Sequence, residues 1–168
     1  ALPTILLLAA LLLAAPAAHA ERQRDPSLRA VIAAAIASKP CFANKYDDVV
    51  WYTLMQPRVE HRLRMQPRDL RLGDDLSAAA RRIVHAVHCE ANKHTMLHDR
   101  PQLVLAVIDV ESAFDPFAVS SAGAVGLMQV MPFWPEELGM RRFQLVRVPE
   151  NIRMGTAIFR YYLKRERN

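Results

Sequence analysis

Leu103-Val104-Leu105-Ala106-Val107-Ile108-Asp109-Val110 runs straight into Glu111-Ser112-Ala113-Phe114-Asp115-Pro116. A helix apolar on every side belongs inside a core. Asp99-Arg100-Pro101 supplies a capping acid and an early proline for its start. Asp115-Pro116 cannot continue it, because a residue before proline is pushed out of helical φ/ψ. The helix is therefore expected to stop near Ser112 with a single carboxylate, Glu111, in its last turn. Downstream, Gly126-Leu127-Met128-Gln129-Val130-Met131 reads as a short helix ended by Pro132. Only five glycines occur, and two of them, Gly123 and Gly126, fall in this segment.

The remaining pattern is also helical. Leu28–Ala37 has helical composition, with Ser38-Lys39-Pro40 as its stop. Phe42–Met55 reads as an amphipathic helix offering Val49, Val50, Trp51 and Tyr52 for burial. Residues 56–75, broken by Pro57 and Pro67, read as an exposed connection or short helices. Leu76–Leu97 carries a clear stripe of Leu76, Ala80, Ile83, Val84, Val87 and Ala91. Pro149–Arg165 closes the chain with Ile152, Ala157, Ile158, Phe159, Tyr162 and Leu163 turned to the core. No repeat and no alternating strand pattern occurs, so a mainly α architecture is expected.

With 52% hydrophobic and 23% charged residues over 168 positions, the chain suits one globular domain with a substantial core. Residues 1–20 read differently. Leu2 to Ala15 is an uncharged apolar run too short to span a bilayer, and Ala18-His19-Ala20 has the small-x-small form of a cleavage site. Export with cleavage after Ala20 is expected, the alternative being a hydrophobic anchor. With no Met and no basic stretch before Leu2, the chain is expected to begin inside its signal sequence. Export leads to an oxidising compartment, where Cys41 and Cys89, the two cysteines, can pair. Such a bridge closes a long loop worth roughly 4 kcal/mol in the chain-entropy model; two reduced buried thiols are the alternative. The net charge of +5 and pI near 9.6 favour acidic partners such as wall polymers or phospholipid head groups. No nucleic-acid recognition motif is present.

Glu111 sits where a solvated glutamate is not favoured, the alternative being a surface glutamate at a frayed helix end. A helix C-terminus carries partial negative charge, and apolar neighbours solvate a carboxylate poorly. Both disfavour the ionised form, as a general acid requires. An ordinary glycosidase wants a second carboxylate opposite the first. Asp109, two residues back, lies on another helix face, and Asp115 reads as a turn residue. One acid without a partner points to chemistry in which the substrate's own acetamido group is the nucleophile. Gln129 offers an amide suited to a sugar hydroxyl or N-acetyl group. Ser112 either bonds locally or joins the chemistry, and Met128 and Met131 read chiefly as core filler.

The pattern Glu111-Ser112-x-Phe114-x-Pro116-x-Ala118-x-Ser120-x-x-Gly123-Ala124-x-Gly126-Leu127-Met128-Gln129-x-Met131-Pro132 resembles the signature of the soluble lytic transglycosylase (SLT) domain, glycoside hydrolase family 23. Asn151-Ile152-x-x-Gly155 resembles the family's next block, and the likeness covers roughly residues 101–165. The resemblance implies a lysozyme-like fold, no cofactor, and peptidoglycan glycan strands as substrate. It implies that Glu111 protonates the oxygen between N-acetylmuramic acid and N-acetylglucosamine. The same carboxylate then takes the C6-hydroxyl proton as the 1,6-anhydro ring closes without water. Gln129 and the backbone around Met128 would line the groove, with Ser112 and Ser120 as further polar candidates. On this reading residues 1–20 are a signal peptide, 21–75 an N-terminal helical extension, and 76–168 the SLT domain, incomplete at its C-terminus. Family members carry a further helix with an Ala-Tyr-Asn-Ala-Gly-like motif, and no Tyr-Asn pair occurs here.

His85, His88, Cys89, His94 and His98 form a second polar cluster. His85 and Cys89 have metal-ligand spacing, but Arg81, Arg82 and Asn92 share that side and Cys89 is the better disulfide partner. A solvated or locally bonded histidine face is expected. The basic tail of Arg160, Lys164, Arg165 and Arg167 reads as an exposed helix end favoured by the dipole. The expected protein is an exported, periplasmic wall lyase. Its rivals are a lysozyme-like hydrolase, a catalytically impaired peptidoglycan-binding module, and a wall-opening component of an envelope-spanning secretion apparatus.

Overall fold

The computed structural model describes residues 25–38, 49–67 and 73–166. In order come α1 (Pro26–Ala37), α2 (Val49–Met65), α3 (Leu76–Asn92), α4 (Gln102–Ser112), α5 (Phe133–Glu137), a 3-10 helix (Arg142–Val146) and α6 (Val148–Glu166). No strand is named among the described residues; extended structure is confined to two isolated bridges, Val119 with Val125 and Val125 with Val130. The mainly α expectation holds. The expected leader, Pro40 and Cys41 lie outside the described residues.

Side-chain caps set the helix starts that polar residues can reach. Asp25 accepts the Ser27 N–H ahead of Pro26, and Asp75 accepts the Ala78 N–H. The α4 start differs from expectation: Pro101 is its N-cap with no side-chain bond, and Asp99 stays exposed in the preceding turn.

Helix α2 overrides the expected break at Pro57 and continues to Met65. A proline inside a helix removes one bond and crowds the preceding turn. Val59 and Leu63, both nearly inaccessible, lie beyond it and give the extra turns their packing. Helix α3 ends at Asn92 rather than Leu97, although Leu97 still reaches the core from the following turns.

Packing joins α1 to α6, α2 to α3, and α3 to α6. Ile32, Ile83, Val87, Ile108, Ile152 and Met154 share the common core, each worth about 1.5–3 kcal/mol when fully buried. Trp51 adds a directional link, its Nε1 donating to the Val84 carbonyl at 3.1 Å. Glu90 is a buried carboxylate between α3 and α6, held by Lys93 Nζ at 2.9 Å and Arg153 Nε at 3.3 Å. Two cations around one acid supply the pairing that a buried charge requires.

Candidate active site

Helix α4 is less buried than its composition predicts. Val104, Leu105 and Ile108 face the core, while Leu103 is 37% and Val110 86% exposed. Glu111 extends the Val104–Ile108 stripe by one turn, past the point where the core ends, and is exposed. Its expected apolar enclosure is therefore absent from the described structure: Val110 points to solvent and Val107 is only partly covered. The Glu111 carboxylate forms no hydrogen bond or ion pair with any described residue.

The turn after Glu111 is tightly specified. Ala113 and Phe114 have φ of 51° and 68°, two successive left-handed residues that reverse the chain. Phe114 is only 3% exposed, and its burial offsets a conformation that costs non-glycine residues about 1–2 kcal/mol. Gln66 at the end of α2 donates to the Ala113 carbonyl, and Arg62 Nε donates to Asp109 Oδ1 at 2.8 Å. Asp109 is thus engaged by α2. Asp115 accepts the Phe117 N–H at 2.8 Å, the turn role expected of it.

Ser112 keys the helix end to the signature loop. Its Oγ donates toward the Ile108 carbonyl at 3.2 Å and the Leu127 carbonyl at 2.9 Å. The expected Gly126–Met131 helix is not formed. Val125 and Val130 exchange both backbone bonds at 3.0 Å, enclosing a tight turn. Gly126 at φ 81° and Gln129 at φ 48° cannot sit in a right-handed helix. A Cβ at Gly126 would stand 2.4 Å from Asn151 Nδ2 and 2.5 Å from the Leu145 carbonyl, so only glycine fits.

Three of the expected polar contacts act first as scaffold. Gln129 Nε2 donates to the Gly126 carbonyl at 2.9 Å and the Ala118 carbonyl at 3.2 Å. That leaves Oε1 as the end able to meet a ligand. Ser120 Oγ accepts the Ala124 N–H at 3.0 Å and closes the 120–124 turn. Met128 is buried against Gly155, its N–H donating to Asn151 Oδ1 at 2.8 Å.

Asn151 is the residue that motif reading undervalued. Almost fully buried on α6, it also donates through Nδ2 to the Val125 carbonyl at 2.9 Å and the Leu145 carbonyl at 2.8 Å. The i, i+4 spacing of Asn151 and Gly155, which puts both on one helix face, was the available signal.

A cavity of about 550 Å³ between α2 and α4 is lined by Gln102, Leu105, Ala106 and Asp109. At roughly 100° per residue, Glu111 lies about 200° round from Asp109, so the acid does not face this cavity. The histidine cluster is dispersed: His85 pairs with the Tyr52 hydroxyl at 2.7 Å, and His88 stacks on Trp51 at 5.5 Å. Among the described residues no group of His, Cys, Asp and Glu is placed to hold a metal. Cys89 is disulfide-bonded.

In this mainly helical core Glu111 lies in the last turn of one helix, and Ser112 keys that helix end to a Gly-Leu-Met-Gln turn. Residues 88–168, just under half of the chain, match the family model described as "Transglycosylase SLT domain". Over 32 residues the chain is 62% identical to "Membrane-bound lytic murein transglycosylase C" of Actinobacillus pleuropneumoniae serotype 5b, covering 19% of this chain and 9% of the relative. The protein of that name from Glaesserella parasuis serovar 5 is 63% identical over 30 residues, 18% of this chain and 8% of its own. That from Haemophilus ducreyi is 36% identical over 61 residues, 36% and 16% respectively. The chain thus matches under a fifth of the length of each of these relatives. No solved structure matches it significantly. No helix among the described residues is long and apolar enough to cross a membrane.

Proposed function

We propose that this chain carries the acid-bearing part of an exported peptidoglycan lytic transglycosylase. It cleaves the β-1,4 bond between N-acetylmuramic acid and N-acetylglucosamine and leaves a 1,6-anhydro end. The observation that carries this reading is the unengaged Glu111 carboxylate, joined through Ser112 to the Leu127 carbonyl of the signature turn. Glu111 protonates the leaving oxygen while the acetamido carbonyl attacks the anomeric carbon. The carboxylate then removes the C6-hydroxyl proton as that oxygen displaces the acetamido group. Gln129 Oε1 accepts from a sugar N–H or hydroxyl. A glycan strand laid across the helix end excludes water from Glu111 on the side the protein leaves open. Export after Ala20, a Cys41–Cys89 bridge and a periplasmic site of action belong to the same proposal, with local wall opening for an envelope-spanning apparatus as one use of it.

The exposure of Glu111 supports a second reading, a module that holds glycan without turning it over. Both are tested by digesting purified peptidoglycan with this chain and with the full gene product, each as wild type and Glu111→Gln. Anhydro-ended muropeptides that vanish in the variant, at unchanged thermal stability, are the expected result. Reducing-end products would mean a hydrolase instead. Sedimentation with insoluble wall without any product, even from the full gene product, selects the binding module.

A further inference from the structure

A second concavity lies far along α6 from the Asn151 end. It has a volume of about 740 Å³ between the start of α1, the turns after α3 and the last turns of α6. Arg160, Lys164 and Arg165 line it together with Lys93 and His94, and among the described residues no acidic side chain does. Lys93 is neutralised by Glu90, and Glu90 is shared with Arg153. Among the described residues Arg160, Lys164 and Arg165 are in no ion pair. Arg160 Nε is buried and has no hydrogen-bond partner.

An orphaned guanidinium N–H in a partly enclosed site is costly to leave unmet. The Tyr161 and Ser27 hydroxyls in the same lining already have their partners. The Tyr161 hydroxyl donates to Asp25 Oδ2 at 2.6 Å and meets Ser27 Oγ at 2.9 Å. The basic tail is therefore more than a solvated helix end: one of its cations is folded inward with a donor unused.

We infer that this concavity is an anion site that receives a phosphate ester, its oxygens on Arg160 Nε and the ammonium and guanidinium groups of Lys164 and Arg165. A guanidinium fork matches a phosphate in two bonds at once. The volume is in the range of small-molecule sites and exceeds what a bare phosphate needs. Apolar walls from Val31 and Met96 would cover the rest of the ester. The same surroundings act on His94, held down to about 4 by burial and by the Arg160 and Lys93 charges. An anion arriving there would relieve the second cause and raise it.

The test is titration of the chain, kept in a phosphate-free zwitterionic buffer, with inorganic phosphate, glucose 6-phosphate and monomeric dihexanoyl phosphatidylglycerol. Arginine Nε–H and histidine resonances are read by NMR. Saturable binding is expected, with the Arg160 Nε–H moving and the His94 midpoint rising. Whichever ester binds tighter tells a sugar phosphate from a lipid head group. Arg160→Lys should weaken binding about tenfold or more, as loss of a charge-assisted bond does. The exposed-rim variant Lys164→Gln/Arg165→Gln, which leaves packing alone, should also weaken it. No saturable binding by any of the three, or affinity unchanged in both variants, overturns the site.

Discussion

The Met128 N–H and Asn151 Oδ1 meet at 2.8 Å, so a side chain of the last helix holds the backbone of the signature turn in place. The same amide serves the Val125 and Leu145 carbonyls. Asn151→Leu is close to isosteric yet leaves the Met128 N–H and the Leu145 carbonyl unmet, while the Val125 carbonyl keeps its bond from the Val130 N–H. At 1–3 kcal/mol for each buried group left unsatisfied, part of which water can recover, a loss of roughly 3 kcal/mol is expected. Urea unfolding measures it, and glycan cleavage should fall along with stability.

Gly155 is fixed by contact rather than by dihedral angle. A Cβ there would lie 2.4 Å from Met128 Cβ and 2.6 Å from its sulfur. Gly155→Ala should destabilise by about 1–3 kcal/mol through overpacking, despite alanine's better helix propensity. Met128→Ala in the same chain should restore part of the loss, and a double-mutant cycle by thermal or urea unfolding reads the coupling.

Acid should weaken the fold through His94. Its folded midpoint of about 4 lies below the ordinary 6.5, from burial first and then from Arg160 and Lys93. Between those values the unfolded chain binds the extra proton, so stability rises with pH across the window and falls as pH drops from 6.5 toward 4. Asp25, held at about 2 by bonds from Ser27 and Tyr161, stays ionised throughout. In phosphate-free buffer the melting temperature of His94→Asn should fall less over this range than that of the wild type.

Reduction should expose the contribution of Cys89. Cys89→Ser, or dithiothreitol on the wild type, is expected to cost roughly 2–4 kcal/mol in denaturant unfolding. Thiol titration of the unreduced, unfolded chain should find no free thiol, and two would sink the Cys41–Cys89 pairing.

Sequence pattern located what depends on chemistry local to the chain. The α4 stop at Ser112, the Asp115 turn and the long last helix all arise from proline, glycine and capping signals within a few residues. It misjudged what depends on distant partners. Pro57 looked like a break because nothing nearby shows Val59 and Leu63 reaching the core. Gly126–Met131 looked helical because the bonds that bend it come from Asn151, more than twenty positions on. Glu111 was found by its motif, whereas its exposure was not legible: an apolar neighbour such as Val110 does not reveal whether anything covers it.

Gln66 and Arg62 reach from α2 to the last turn of α4, gripping the Ala113 carbonyl and Asp109. The stretch recognisable by family likeness starts at residue 88, inside α3, and leaves both outside it. The smallest piece able to hold the acid steady is thus larger than the piece homology delimits. An excision guided by likeness alone would cut away the brace along with the apparent surplus.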